Sequence, residues 1–213
     1  MHRCLLCGRD LSRTSFRDAL YSDDPLCSSC RSAWVKKTLK MRFCGVPLES
    51  PYLYSDAFSA ALIQYKECGD EALKDIFLYP FRDRIRFRYR GYTLVPMPST
   101  QAKREERGFD HVRCMFACTG LPVQDLFVRQ GQGDQKKRTR TQRSLVLEEI
   151  ALMPDMQIPD KVLLIDDTVT TGSTLKAALA LLADKGVKLR IYTVSANRRW
   201  YKLPFAKRND IIE

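Results

Sequence analysis

Four cysteines near the amino end, Cys4, Cys7, Cys27 and Cys30, form two C-x2-C pairs separated by 19 residues. A C-x2-C pair on a tight turn aims both sulfurs at one ion, and two such pairs supply the corners of a tetrahedron. The spacing predicts a structural Zn²⁺ site closed by four thiolates, with no open position for chemistry. Gly8 follows the first pair directly, where such a turn often needs positive φ. Few large apolar residues accompany these cysteines, so the metal is expected to supply the local folding energy. Cys44, Cys68, Cys114 and Cys118 show no ligand spacing. Cys114 and Cys118 fall four apart, on one face of an expected helix, and read as core positions.

A second group of chemical side chains lies in Val162–Thr174, VLLIDDTVTTGST. Four apolar residues, two acids, a turn of small hydroxylated residues and a following helix describe the carboxyl edge of a parallel sheet, where ligands bind. Thr170, Thr171, Ser173 and Thr174 offer hydroxyls, and Gly172 lets the backbone close on an anion. The helix after them presents free N–H groups and its positive dipole end, which suits a phosphate monoester. Asp166 and Asp167 cannot help to bind phosphate, but they can accept hydrogen bonds from vicinal hydroxyls such as those of a ribose. A phosphate and a diol one sugar ring apart describe a ribose 5-phosphate. Neither G-x4-G-K-[ST] nor G-x-G-x-x-G occurs, which argues against the other common nucleotide loops.

The third signal is charge. Lys and Arg number 36 against 25 Asp and Glu, a formal +11, which points to a polyanionic partner. Arg82, Arg84, Arg86, Arg88 and Arg90 alternate with Phe81, Asp83, Ile85, Phe87 and Tyr89. As a strand, this stretch would present one guanidinium face and one largely aromatic face. Lys136, Lys137, Arg138, Arg140 and Arg143 form a second basic tract, in a polar loop without large apolar residues. Guanidinium groups on phosphates and aromatic faces on unpaired bases predict sequence-indifferent binding of single-stranded DNA. The competing reading pairs the arginines with carboxylates of the protein's own surface.

These groups need elements to position them. With 213 residues, 45% hydrophobic and 29% charged, the composition is that of an ordinary globular protein. Short apolar strands alternate with helices from residue 92 onward: strands at 92–95, 123–128, 162–165 and 188–196, and helices at 103–118, 144–151 and 174–185. Before them, 52–54 reads as a strand, 55–66 and 71–79 as helices, and 81–90 as the arginine strand. The alternation argues for an α/β fold, a parallel sheet with helices on both faces. The division expected is 1–31 for the zinc finger, 32–50 for a basic linker or helix, and 51–213 for the main domain. No apolar run approaches the roughly 20 residues of a membrane span. The first residues lack the apolar stretch of a signal peptide. The expected location is the cytoplasm.

Val162–Thr174 closely resembles the phosphoribosyl-pyrophosphate signature of type I phosphoribosyltransferases, with Thr168 where an aliphatic residue is more usual. Val95–Asp110, VPMPSTQAKREERGFD, resembles the V-P-x-P-x…R-x-R-G-F stretch of the ComF/ComFC family, and Asp110-His111 stands where that family usually has Asn-Gln. Tyr65–Asp70 resembles its K-x-x-G-D element and Lys137–Leu145 its K-x-T-x-x-Q-x-x-L loop. The resemblance covers nearly the whole chain and implies a four-cysteine zinc finger joined to a type I phosphoribosyltransferase-like domain. It implies a role in DNA uptake during natural competence. It also implies a pyrophosphate loop at Pro98, Ser99 and Thr100 with Lys103, Arg104 and Arg107, and Mg²⁺ carried largely on the ligand's own oxygens. A nucleotide-salvage phosphoribosyltransferase and a non-catalytic adaptor for a competence helicase or recombination mediator are the alternatives. No residue stands out as a general base, so catalytic activity and acceptor stay open. Trp200 and Tyr201 either stack on a base or cover the end of the sheet.

Overall fold

A computed structural model describes residues 3–11, 24–99, 105–129 and 150–202. Helix α1 (Ser28–Ala33) follows the second cysteine pair, and strands β1 (Lys36–Phe43) and β2 (Val46–Leu53) form an antiparallel hairpin. Helix α2 (Asp56–Lys66) and two 3₁₀ turns (Glu71–Ile76, Tyr79–Phe81) lead to helix α3 (Arg82–Arg88). Strand β3 (Thr93–Pro96), helix α4 (His111–Phe116), strands β4 (Phe127–Arg129) and β5 (Ile150–Leu152), and strand β6 (Lys161–Val169) follow. Helix α5 (Ser173–Leu182), strand β7 (Lys188–Ala196) and helix α6 (Arg198–Tyr201) complete the described chain.

The main sheet has five strands in the order β1-β2-β7-β6-β3, and β2, β7, β6 and β3 run parallel. Along β6, Leu163 and Ile165 face one apolar cluster while Val162 and Leu164 face another, the alternation a strand imposes. One cluster lies under α2, α3 and α4, the other under α5, so both sheet faces are covered as the α/β expectation required.

Residues 32–50 are not a linker or helix. Leu39, Met41 and Phe43 point into the core while Lys40 and Arg42 point out, and this alternation makes β1. Cys44 (φ 47°) and Gly45 (φ 74°) are both left-handed, the two-residue turn that suits the twist of a hairpin. The hairpin adds to the main sheet through β2 and β7. Nor do residues 1–31 stand apart: Cys4, Leu26, Cys27 and Trp34 belong to the same apolar cluster as Tyr52, Phe58 and Phe77.

The arginine stretch is also different from the strand expected. Phe81, Ile85 and Tyr89 recur every four residues, and as α3 they turn one face to the core, with Ile85 and Tyr89 buried. The same winding carries Arg84 and Arg88, also four apart, over the buried carboxylate of Glu49 on β2. Burial of Ile85 and Tyr89, together with pairing of a carboxylate that would otherwise be stranded, favours the helix. The helix expected at 144–151 is replaced at its end by β5, which pairs with β4; residues 144–149 lie outside the described residues. The segment 71–79 winds as 3₁₀ turns rather than as one helix. Among the described residues no helix is long and apolar enough to cross a membrane.

Candidate functional site

The ligand atoms of Cys4, Cys7, Cys27 and Cys30 all lie within 4.8 Å of one another, and Cys7 Sγ is 3.7 Å from Cys27 Sγ. A tetrahedral ion with Zn–S bonds of about 2.3 Å sets its sulfurs about 3.8 Å apart, so the donor set fits. The Cys30 amide also donates to Cys27 Sγ at 3.5 Å, as expected at a C-x2-C knuckle. Burial raises the Cys4 thiol, but backbone N–H groups of Cys27, Cys7 and Leu6 outweigh it and bring it down to about 7. Burial raises Cys27, and burial together with the neighbouring sulfurs raises Cys30. Four thiolates therefore need a cation among them. The cluster can hold a metal ion such as zinc.

At the carboxyl edge of the sheet, β6 ends at Val169 and α5 begins at Ser173, with Thr170–Gly172 as the loop between. Gly172 has φ 80°, a left-handed conformation that glycine adopts without strain. A Cβ there would meet the Phe43 ring at 2.7 Å, so glycine is required twice over. Gly172 has no side chain to cap α5, and at its start the Ser173 amide donates to the Thr171 hydroxyl at 3.4 Å. Thr171 and Ser173 hydroxyls lie 2.8 Å apart, and Thr170 and Thr171 are exposed. The loop is held from behind: Trp200 Nε1 donates to the Thr170 carbonyl at 2.9 Å and Arg199 to the Thr171 carbonyl at 3.0 Å. Trp200 is buried against Phe43, and the Tyr201 hydroxyl donates to the Lys37 carbonyl. Of the two roles open to Trp200 and Tyr201, covering the sheet's end is the one they occupy.

The two acids divide. Asp166 is half-buried and receives the Asp167 amide at 2.9 Å. Asp167 is buried, and its Oδ2 accepts from Lys66 Nζ at 3.0 Å and from His111 Nε2 at 3.2 Å. Arg107 approaches His111 Nδ1 at 3.3 Å, and arginine can only donate. Nδ1 therefore accepts, and Nε2–H faces Asp167. Arg107 also donates to Glu67 at 3.0 Å, and Lys66 lies 3.9 Å from the same carboxylate. Burial would raise Asp167, but the His111 hydrogen bond and the Lys66 charge outweigh it and hold its carboxyl down to about 2. Burial and the charge of Asp167 push Asp166 well above the usual carboxylate range. Lys66 is raised: Asp167 outweighs the burial that would lower it.

Pro98 and Ser99 follow β3, whose Pro96 pairs with Ile165, so they sit beside the acids. Arg107 reaches the same edge, but its side chain is only 6% exposed and is committed to Glu67 and His111. Thr100, Lys103 and Arg104 lie outside the described residues, as do Lys136, Lys137, Arg138, Arg140 and Arg143. Sequence reasoning gave Lys66 and His111 no role; their only signal was membership in motif-like stretches. Of the arginines at 82–90, Arg84 and Arg88 bind Glu49, and Arg82 pairs with Asp83 at 3.7 Å and stacks on Tyr79. Arg86 and Arg90 are exposed and form no ion pair among the described residues.

Residues 121–209 match the phosphoribosyl transferase domain. The competence protein ComFC of Streptococcus pneumoniae is 26% identical over 87% of this chain and 96% of its own length. The ComFC of Bacillus subtilis is 28% identical over 86% of this chain and 89% of its own. Among solved structures, a hypoxanthine phosphoribosyltransferase from Staphylococcus aureus aligns with 63% of this chain and 69% of its own, at 18% identity and a TM-score of 0.36. Two near end-to-end alignments, with a four-cysteine cluster ahead of a segment that matches the phosphoribosyl transferase domain, make this chain similar to the ComFC competence proteins over most of its length.

Proposed function

We propose that the chain is a competence-related DNA-handling protein that binds a phosphoribosyl ligand, phosphoribosyl pyrophosphate or a nucleotide, at the carboxyl edge of its sheet, and single-stranded DNA on its basic surface. The observation that carries this reading is the Thr170–Ser173 loop: a left-handed glycine at the helix start and clustered hydroxyls beside Asp166 and Asp167. Phosphate sits on the helix N-terminus, and the ribose hydroxyls donate to Asp166 and to the second oxygen of Asp167. Mg²⁺ arrives on the pyrophosphate oxygens. The cysteine cluster holds Zn²⁺ as a structural ion. The protein works in the cytoplasm, with a competence helicase or recombination mediator as its protein partner.

Calorimetry with phosphoribosyl pyrophosphate and Mg²⁺ tests the ligand half. Saturable binding lost in Asp166→Ala/Asp167→Ala supports it. No saturable binding by the wild type at millimolar ligand overturns it and favours an adaptor without a ligand. The net charge of +11 supports the DNA half.

A further inference from the structure

Helix α3 and the turn at Gly120–Pro122 bound a groove of about 460 Å³, lined by Asp83, Arg86, Phe87, Arg90, Gly91 and the residues Gly120–Leu121–Pro122. That volume lies within the range of ligand clefts, about 300–1,000 Å³. We propose that this groove seats one unpaired nucleotide of a single-stranded nucleic acid, with Phe87 stacked on the base and Arg86 and Arg90 on the flanking phosphates. The inference rests on the nucleic-acid half of the function proposed above and assigns it a place.

Three observations point there. Phe87 is 84% exposed, the most exposed large apolar side chain among the described residues, while its helix buries Ile85 on the opposite side. An aromatic ring standing in water beside two guanidinium groups is a stacking platform with its own counter-charges. Winding as a helix sorts the arginines: Arg84 and Arg88 are used up on Glu49, while Arg86 on α3 and Arg90 in the turn just past its end line the groove with Phe87, and among the described residues no carboxylate pairs with either. Gly120 stands across the groove from α3. A Cβ there would lie 3.9 Å from Arg86 Cζ, so the guanidinium rests over a residue that carries no side chain. Lys161 Nζ stands 4.0 Å from the corresponding point on Gly91 and adds a third cation near the rim. The groove's one carboxylate, Asp83, is paired with Arg82.

The groove is separate from the phosphoribosyl site. Gly91 precedes β3, and Pro122 precedes Val123, which bridges in parallel to Leu94, so the groove lies at the amino edge of the sheet. The phosphate loop lies past the carboxyl end of β6, whose nine residues span about 26 Å. One strand can therefore be held while the other edge is loaded. A duplex offers phosphates to Arg86 and Arg90 but no free base face to Phe87, so the seat favours single strands.

The test is anisotropy with a labelled 15-nucleotide oligothymidine and a duplex of equal length over a salt series. Arg86→Ala/Phe87→Ala/Arg90→Ala is compared with Lys40→Ala/Arg42→Ala on β1, at the opposite edge of the sheet and with the same change in charge. The triple variant should bind the oligonucleotide at least 10-fold more weakly and flatten its salt slope by about 1.4, two contacts at about 0.7 each. Phe87→Ala alone should weaken single-strand binding by roughly 5- to 150-fold and leave duplex binding unchanged. Phe87→Trp adds an exposed indole to a protein whose Trp34 and Trp200 are buried, and its emission should be quenched by the oligonucleotide. Wild-type affinity in the triple variant overturns the groove and leaves the DNA reading standing. Equal losses on single strand and duplex, with Phe87→Ala silent, overturn the stacking seat and leave an anion patch that an acidic protein would also fit. No oligonucleotide binding by the wild type at low salt overturns the DNA reading and the groove with it.

Discussion

Replacing Arg31 by Met asks whether the cysteine module and the main domain form one folding unit. Arg31 sits at the heart of their junction and is 8% exposed. Its Nε and Nη2 donate to the two oxygens of Asp24 at 2.8 and 2.6 Å, a bidentate pair. Nη1 donates to the Ile76 carbonyl at 2.7 Å, and the guanidinium lies 5.1 Å over the Trp34 ring. Asp24 is itself 8% exposed, and its Oδ1 also accepts from the Leu26 amide, just before Cys27. Removing the cation strands a buried carboxylate, which costs about 3–5 kcal/mol. The orphaned Ile76 carbonyl adds about 1 kcal/mol. Set against a total stability of about 5–15 kcal/mol, that is a large fraction. Arg31→Met/Asp24→Asn removes both charges and keeps an acceptor for Leu26, so it should cost well under the single Arg31→Met. Urea unfolding is followed by far-ultraviolet circular dichroism and by the emission of Trp34 and Trp200 together, with metal release measured by a chromophoric chelator. Metal release and loss of the sheet signal should move together to lower urea. A loss under about 1 kcal/mol, or metal release at lower urea while the sheet midpoint stays put, refutes the shared core.

The freshly purified protein should carry one equivalent of zinc by elemental analysis, and Cys27→Ser should lower both zinc content and the midpoint of the whole domain, since Cys27 is buried in the common cluster. Gly172→Ala should abolish phosphoribosyl-ligand binding and cost about 1–2 kcal/mol, because it adds a Cβ against Phe43 and a left-handed alanine; Phe43→Ala should relieve the clash and not the φ strain, as denaturation of the double variant will read. Trp200→Phe keeps a ring beside Phe43 and deletes the hydrogen bond to the Thr170 carbonyl, so calorimetry should read several-fold weaker ligand binding and denaturation a loss of about 1 kcal/mol. Burial and the charge of Asp167 raise Asp166 above the ordinary carboxylate range, so this group's contribution to stability declines as pH rises above about 4. Asp166→Asn should therefore raise the melting temperature at pH 7, with the gain vanishing toward pH 4, while it weakens the ligand.

Legibility in the sequence followed the range of the interactions. The cysteine pairs and the strand–loop–helix at 162–174 are local patterns, and both appear as the residues implied. The hairpin at 36–53 had a local signal too, Leu39, Met41 and Phe43 in alternation before a two-residue turn, but the many lysines and arginines around it read as a basic linker. At 82–90 two periods coexist. The charges repeat every second residue and the core residues every fourth, and burial decides in favour of the fourth. Nothing near α3 in sequence announced Glu49, which lies 35 residues before Arg84. Likewise Asp167 meets His111 from 56 residues away and Lys66 from 101. Such pairings exist only once the sheet is assembled.

The acid pair shows what this assembly adds. Adjacent residues of a strand point to opposite faces, so Asp166 and Asp167 meet different neighbours however alike they look in sequence. Asp167 turns to the α2 and α4 side, where Lys66 and His111 hold it ionised and where it ties both helices to the end of β6. Burial, and after it that fixed charge, raises Asp166, the more open of the two by surface exposure. A ribose entering the edge meets an anchored carboxylate behind and, in front, one whose pKa is raised. Losing His111 would therefore reach the ligand through Asp166 without its side chain touching it: Asp167 would hold its proton more readily, and Asp166 would ionise at lower pH, whereas losing Lys66 would also remove a cation that lowers Asp166 and so oppose that change.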